Sequence, residues 1–190
     1  MIDQIIQYDQ DLFLYLNGLG NVYWDAFWLA YTAKFYWIPA YAILAYLLFK
    51  QLSLKAFFLL LVVVALMITF TDQITNVFKH GFERFRPCHE PGVMEVMRLV
   101  RDGCGGRFGF FSGHASNTMA LAIFIGATLH SKYKFLIYVM VVWALGMGYS
   151  RIYVGAHYPM DILCGAIFGA FSGTLFFQLQ RFLQKRFQLN

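Results

Sequence analysis

Five residues in an otherwise apolar chain have the side chains and positions that bind a phosphate group. Lys79, Arg86 and Arg151 supply three cations, which suit a doubly charged phosphate and the negative charge that develops on its equatorial oxygens during transfer. Ser112 and Gly113 stand where an apolar run begins, so free backbone N–H groups and the positive end of a helix dipole would face an anion. These residues predict a phosphate-binding site.

Two histidines and an aspartate could supply the chemistry that cleaves a phosphate ester. His157 and Asp161 are spaced i, i+4, which places both side chains on one helical face and lets the carboxylate hold one ring nitrogen. The other ring nitrogen is then free to attack phosphorus. His114 comes from a different apolar run and would be the acid that protonates the departing alkoxide or phosphate. One histidine is thus the candidate nucleophile and the other the candidate proton donor.

Each of these residues also has a simpler structural interpretation. A lone His114 would more often be a satisfied core residue, Arg151 could anchor the chain at a membrane interface, and Lys79 could extend its side chain to that interface. A metal site formed by His114, His157 and Asp161 is disfavoured because three cations are expected nearby. We therefore expect no metal ion and no cofactor, and the catalytic hypothesis depends on these residues meeting in the fold.

Three further polar residues are assigned structural roles. Asp72 precedes Lys79 by seven residues on the same helical face, so we expect a structural ion pair between them. His80 and His89 have no partner at a functional spacing and are interpreted as loop residues.

The composition indicates that lipid is the solvent for most of the surface. Of 190 residues, 59% are hydrophobic and 13% charged, and the mean hydropathy is +0.55. Five apolar runs, with their flanks, reach the roughly 17 to 25 residues that cross a bilayer as a helix. We therefore predict an all-α integral membrane bundle of about five transmembrane helices, within the runs Phe35–Phe49, Ala56–Phe70, Phe108–Leu129, Phe135–Tyr149 and Ile162–Gln180.

The direction of these spans brings the polar residues together. Lys79 ends the second span, Ser112 to His114 open the third, Arg151 ends the fourth, and His157 to Asp161 open the fifth. Because successive spans run in opposite directions, all four pieces lie at the same membrane face. The topology alone thus predicts one site.

The remainder of the chain is interpreted as part of one membrane domain, residues 1–190, with a site-side loop at residues 80–111. Residues 1–20 repeat apolar side chains at helical spacing, with acids and glutamines on the other face. This predicts an N-terminal amphipathic helix that lies at the membrane interface. Packing of that helix against the bundle is an equally good interpretation.

The basic residues indicate orientation. The formal charge is +5, but the cations lie at the ends of apolar runs and form no single patch, which excludes nucleic-acid binding. Clusters without acids mark one face as cytoplasmic. The opposite face, which carries the candidate site, would then be periplasmic, and the cytoplasmic clusters are Lys50/Lys55, Lys132/Lys134 and Arg181/Lys185/Arg186.

The spacing of these residues resembles the three-part signature of the type-2 phosphatidic acid phosphatase superfamily. Six residues separate Lys79 from Arg86-Pro87, and the second part is Ser112-Gly113-His114. In the third part, five residues separate Ser150-Arg151 from His157, and three more precede Asp161. The family's second motif usually begins with proline, where this chain has Phe111.

The resemblance implies a metal-independent lipid phosphatase. By that likeness His157 forms a phosphohistidine, Asp161 orients it and His114 protonates the leaving group. The phosphoryl group would be bound by Lys79, Arg86, Ser112, Gly113 and Arg151. Small bacterial members act on envelope lipids, so we expect a bacterial inner-membrane enzyme that cleaves undecaprenyl diphosphate or a similar lipid, with phosphatidylglycerophosphate and lipid A as alternatives and no obligate protein partner.

Other functions have weaker support. Transfer of the phosphoryl group to a second lipid would use the same site. The vanadium haloperoxidases have a similar site, but those proteins are soluble. A non-catalytic lipid-binding protein would not need both histidines. Cys88 and Cys104 share the site-side loop and could pair in an oxidising compartment, whereas Cys164 lies within the last span.

Overall fold

Seven α-helices follow the apolar runs of the sequence in this computed structural model, which describes residues 2–189. A 3-10 turn at Lys34–Trp37 precedes the third helix, and another at Pro87–His89 follows the fourth. Within the described residues the only β pairing is a single bridge between Phe85 and Phe108, so the all-α prediction is confirmed. The helices are α1 (Ile2–Gly18), α2 (Val22–Thr32), α3 (Ile38–Gln51), α4 (Leu54–Phe82), α5 (Gly113–Thr128), α6 (Leu136–Tyr153) and α7 (Pro159–Arg186).

Three helices, α4, α6 and α7, are long and apolar enough to cross a membrane. Together α2 and the segment Lys34–Gln51 would form a fourth span, bent by 66° at the break between them. Helix α5 has only 16 residues, because it begins at Gly113 and not at the predicted Phe108. The protein is therefore an integral membrane protein, but helix length does not confirm the predicted count of five spans.

Helix α5 lies against α7 along a stripe of three glycines. A Cβ atom on Gly165, Gly169 or Gly173 would lie only 2.6, 2.2 or 2.5 Å from a carbonyl oxygen of α5 or its N-cap. The missing side chains let the two backbones touch, as small residues do between membrane helices. This contact fixes the start of α5 beside the start of α7, where the Ser112 amide donates a hydrogen bond to the Asp161 carbonyl at 3.0 Å.

Helix α1 packs against the bundle through one aromatic and two polar side chains, Phe13, Asp9 and Asn17. The Asn17 amide nitrogen donates to the carbonyls of Arg98, Ile152 and Tyr153 at 2.9 to 3.1 Å, and its oxygen accepts from the Arg98 amide at 2.7 Å. Asn17 therefore ties α1 and the long loop to the end of α6. Phe13 is fully buried, whereas the isoleucines of the first two turns remain exposed, so only part of the predicted apolar face packs against the bundle.

The loop between α4 and α5 is folded over the site and covalently closed. Helix α4 ends at Phe82, two residues beyond the predicted start of the loop. The Arg86 amide donates to the Arg107 carbonyl at 3.1 Å, which pairs the two sides of the loop. Cys88 and Cys104 form a disulfide with a Cα–Cα distance of 5.8 Å, and Cys164 is free. The loop is thus a fixed wall of the site.

Candidate active site

The fold gathers the predicted site residues around one cavity of about 770 Å³. Two of the predicted residues, Ser112 and Asp161, are fully buried behind the cavity lining. The remaining six face the cavity directly and come from α4, the long loop, α5, α6 and the α6–α7 connection. These six are Lys79, Arg86, Gly113, His114, Arg151 and His157.

His157 and Asp161 form a buried pair at the start of α7. The His157 Nδ1 atom lies 3.3 Å from Asp161 Oδ2, which also accepts a hydrogen bond from the Tyr158 amide at 3.1 Å. Burial, followed by the charges of Arg86 and Arg151, holds the pKa of His157 well below its ordinary value. The imidazole is therefore neutral near pH 7. The carboxylate favours the proton on Nδ1, which leaves the Nε2 lone pair for the cavity.

Arg84 connects this pair to the N-terminal helix, a link that no sequence motif indicates. Its Nη1 donates to Asp161 Oδ1 at 3.0 Å, and its Nη2 donates to Asp9 Oδ2 at 2.6 Å. The guanidinium also lies over the Tyr158 ring, 4.3 Å from its centroid. Asp9 Oδ1 in turn accepts from the Met160 amide at 2.9 Å, so the carboxylate caps the first turn of α7.

In this link one guanidinium pairs with two buried carboxylates. Burial alone would lower the pKa of Arg84, but the carboxylates of Asp161 and Asp9 raise it overall. Burial raises the pKa of Asp9, and the hydrogen bond from Arg84 opposes that effect. Asp9 lies 75 residues from Arg84 in sequence, so no local spacing could have indicated the contact.

The three predicted cations approach the cavity from separate elements. Lys79 Nζ lies 3.9 Å from the point that a Cβ atom on Gly113 would occupy, which places the ammonium at the start of α5. Arg86 is oriented by a hydrogen bond from its Nε to the Phe108 carbonyl at 3.2 Å. Arg151 is buried and donates from Nη1 to the Thr32 hydroxyl at 2.7 Å, while its Nε has no described partner.

Two further cations line the same cavity. Arg101 comes from the long loop and Lys34 from the turn between α2 and α3. A Cβ atom on Gly105 would lie 3.4 Å from Arg101 Nη2 and 3.5 Å from Arg86 Nη1, so the two guanidinium groups are neighbours. Burial and then the charge of Arg101 lower the pKa of Arg86. An anion between these groups would relieve that repulsion.

Glycine backbone and a helix start complete the phosphate end of the cavity. A Cβ atom on Gly109 would lie 3.1 Å from both Arg86 Cγ and Asp161 Oδ2, so only glycine leaves these groups in place. The Ser112 hydroxyl caps α5 by accepting from the Ala115 amide at 3.4 Å. The amide of Gly113 precedes the first intrahelical hydrogen bond and is available to an anion.

Comparison with known proteins identifies the family. The model of the PAP2 superfamily matches residues 56–185, more than half of the chain. This protein belongs to the PAP2 superfamily. Its site residues lie within the matched segment, apart from Asp9 and Lys34. The prediction of a membrane phosphatase is therefore confirmed.

Individual relatives of this PAP2 protein are similar over nearly the whole chain. The lipid A 4'-phosphatase of Bacteroides thetaiotaomicron is 38% identical, over 99% of this chain and 84% of that protein. The lipid A 4'-phosphatase of Porphyromonas gingivalis is 32% identical, over 97% and 78%. The crystal structure of a transmembrane PAP2-type phosphatidylglycerolphosphate phosphatase from Bacillus subtilis has the same fold, with a TM-score of 0.71, 22% identity and coverage of 96% and 87%.

Away from the cations, the cavity of this PAP2 protein becomes an apolar groove. It runs between α3, α4, α5 and α6, towards the membrane face opposite the site. The walls are mostly aliphatic, which suits a hydrocarbon chain. The groove residues include Leu44, Leu48, Leu60, Leu61, Val64, Ile68, Leu121 and Ile125.

One group of potential metal ligands lies in the long loop. Atoms of Cys88, His89 and Cys104 lie within 4.8 Å of one another. The disulfide between the two cysteines consumes both thiolates, which are the forms that bind metal. The group therefore stabilises the loop in this structure.

Proposed function

We propose that this protein removes a terminal phosphate from an envelope lipid through a phosphohistidine intermediate, and that its preferred substrate is a phosphoglycolipid of the lipid A type. The observation that carries the proposal is the neutral, carboxylate-held His157 among several cations at the end of an apolar groove. The names of the two lipid A 4'-phosphatases support this substrate over undecaprenyl diphosphate, which the sequence analysis placed first.

In the first step the lipid phosphate sits between Lys79, Arg86 and Arg151, with one oxygen on the Gly113 amide. The His157 Nε2 lone pair attacks phosphorus and forms a P–N bond, while the bond from phosphorus to the lipid oxygen breaks. His114, on the α5 side of the cavity, gives its proton to that oxygen. The cations stabilise the charge on the equatorial oxygens. Ser112 contributes by capping α5 and fixing the Gly113 amide.

In the second step water replaces the lipid. His114, now deprotonated, takes a proton from the water as its oxygen attacks phosphorus. The P–N bond breaks, inorganic phosphate leaves and His157 returns to its neutral form. Asp161 keeps the His157 ring in the same orientation through both steps and stabilises positive charge on it. If a lipid hydroxyl replaced water, the same site would be a phosphotransferase.

Arg84 is a positioning residue in this proposal. It holds the Asp161 Oδ1 atom, while the Tyr158 amide and His157 occupy Oδ2. With three donors around it, the buried carboxylate has one orientation. Asp9 fixes Arg84 and caps α7 at the same time, so the N-terminal helix contributes to the geometry of the nucleophile.

We infer that the site faces the periplasm. The disulfide between Cys88 and Cys104 lies on the site face, and disulfides persist in oxidising compartments. The basic clusters without acids lie at the opposite ends of the spans, as the positive-inside rule requires. This orientation includes α5 as a buried fifth crossing, shorter than its lipid-facing neighbours.

Phosphate release by the purified protein in detergent tests the function. The substrates are lipid A, undecaprenyl diphosphate, phosphatidylglycerophosphate and phosphatidic acid, each with and without chelator. We expect lipid A to be hydrolysed fastest, with no effect of chelator. His157→Ala and His114→Ala should lower kcat by roughly 10²- to 10⁴-fold, whereas His130→Ala, an exposed histidine at the far end of the bundle, is the matched control.

Rapid quenching with a radiolabelled donor lipid tests the intermediate. An acid-labile, alkali-stable phosphoprotein should form in the wild type and be missing from His157→Ala. Normal phosphate release by both histidine variants would refute the assignment. Label that moves to an added lipid, in place of free phosphate, would instead identify a phosphotransferase.

A further inference from the structure

A polar pair interrupts the apolar groove just below the phosphate end. Asp72 on α4 and Asn117 on α5 both line the cavity. Asp72 Oδ1 accepts a hydrogen bond from Asn117 Nδ2 at 2.7 Å, and Asn117 Oδ1 accepts from the Thr71 hydroxyl. Because Thr71 fixes the amide from behind, the donor face of Asn117 is held towards Asp72. Hydrogen bonds therefore hold the pair in a defined position in the groove wall.

The Asp72 carboxylate makes no direct ion pair with a cation among the described residues. The ion pairs among residues 2–189 use Asp9, Asp25 and Asp161, so the expected pair between Asp72 and Lys79 is not formed. Asp72 Oδ2 has no described hydrogen-bond donor. An ionisable group at membrane depth is costly and marks a functional site when it faces a cavity. A ligand that supplies donors would satisfy it.

The pair lies where the leaving group of the substrate must be. Asp72 Oδ1 and Lys79 Nζ each lie 3.9 Å from the point that a Cβ atom on Gly113 would occupy, so the carboxylate adjoins the phosphate cradle. Asn117 follows His114 by three residues on α5 and shares its helical face. His114 is the proposed proton donor to the leaving oxygen. The groups next to that oxygen therefore meet Asp72 and Asn117.

We propose that Asp72 and Asn117 form a binding site for hydroxyl or amide N–H groups of the lipid leaving group, and that this site selects phosphoglycolipids. The inference rests on the proposed function and names its substrate class. A glucosamine unit carries such donors close to its phosphate. Diacylglycerol phosphate offers only ester oxygens there, which are acceptors and which a carboxylate repels.

The same carboxylate selects against diphosphates. In a polyprenyl diphosphate the group next to the cleaved bond is a second phosphate, and its charge would approach Asp72. Like charges in this groove disfavour binding, and no donor compensates. Asp72 would therefore make the enzyme discriminate between a sugar phosphate and a lipid diphosphate, although both carry the same terminal phosphoryl group.

Substrate competition by variants of the full-length protein tests this selection. The measured quantity is the ratio of kcat/KM for lipid A to kcat/KM for phosphatidic acid of matched chain length. A site built to bind a polar donor rejects analogues that lack it strongly, so we expect Asp72→Leu and Asn117→Leu to lower the ratio by about 10- to 100-fold. Asp72→Asn, which keeps the shape and removes the charge, should raise the relative rate on undecaprenyl diphosphate. Thr69→Leu, an exposed α4 position outside the cavity, is the matched control.

Each outcome bears on one proposal. Equal losses on lipid A and phosphatidic acid would overturn the selection role, because they would indicate that Asp72 only supports Lys79 or α4. A wild-type protein that hydrolyses phosphatidic acid and undecaprenyl diphosphate as fast as lipid A would also overturn it, even if every variant misfolded. In both cases the phosphatase function stands, since it fails if no lipid releases phosphate or if both histidine variants release it at the normal rate.

Discussion

Replacement of Arg84 tests whether the N-terminal helix positions the catalytic pair. Arg84 is the only described cation that contacts both Asp9 and Asp161, whose side chains are 3% and 0% exposed. Arg84→Gln keeps part of the side-chain volume and removes the charge. Two buried carboxylates then lose their counterion, and Asp161 loses one of its three donors.

The magnitude follows from two effects. Removal of one partner from a buried ion pair costs about 3–5 kcal/mol of unfolding free energy, a large share of a typical total of roughly 5–15 kcal/mol. Loss of a charge-assisted hydrogen bond to Asp161 costs about 1.5–3 kcal/mol. If the transition state needs that bond, kcat falls by roughly 10- to 100-fold. Arg84→Lys keeps the charge but should retain less than half of the contribution that Arg84 makes to kcat and to the unfolding free energy, because a lysine cannot bridge both carboxylates.

Two measurements separate stability from catalysis. Thermal unfolding in detergent reports the first, and the rate of phosphoenzyme formation in a single turnover reports the second. The double variant Asp9→Asn/Arg84→Gln removes one stranded carboxylate, so it should regain unfolding free energy but not kcat. Wild-type kcat in Arg84→Gln would refute the positioning role, and an unchanged unfolding temperature would refute the buried ion-pair argument.

Four further measurements test the site. Burial and then the neighbouring arginines lower the pKa of His157, so the acid limb of kcat/KM should lie below about pH 6.5, and Arg86→Gln should shift it upwards; a limb above pH 6.5 contradicts this. A folded pKa below the unfolded value also makes stability fall as the pH drops below about 6.5, which unfolding at several pH values checks. Gly109→Ala crowds Arg86 and Asp161 and should lower kcat roughly tenfold, while circular dichroism shows an unchanged fold. Gly106→Ala, at a position with open space around it, is the control. Vanadate should raise the unfolding temperature, because it relieves repulsion between Arg86 and Arg101, and this gain should shrink in Arg101→Gln.

The sequence was sufficient to predict which motif residues share a cavity. Spacing paired His157 with Asp161, and alternation of span direction brought Lys79, His114 and Arg151 to the same face. These inferences use only local periodicity and topology, and both are easy to recognise in an apolar chain with few polar interruptions. The spacing of Gly165, Gly169 and Gly173 was a further signal, since glycines four residues apart mark close helix contacts in membranes.

Other features depend on contacts between distant segments. Asp9 meets Arg84 over 75 residues, and Arg84 meets Asp161 over 77, so neither residue has a motif of its own. The orientation of α1 was unpredictable for a related reason. Its buried face carries Asp9 and Asn17 beside Phe13, and partners in other elements offset the cost of burying the two polar groups, whereas periodicity alone favours a wholly apolar buried face.

The distribution of charge along the cavity gives the substrate one direction of entry. The cations gather around His157, whereas the Asp72 carboxylate lies at the boundary with the groove, two turns of α4 before Lys79. At an effective dielectric constant of about 20, two charges about 8 Å apart interact by roughly 2 kcal/mol. A phosphate displaced towards Asp72 therefore loses attraction to the cations and gains repulsion from the carboxylate. Both effects drive the phosphate towards His157 and leave a neutral, donor-rich group beside Asp72.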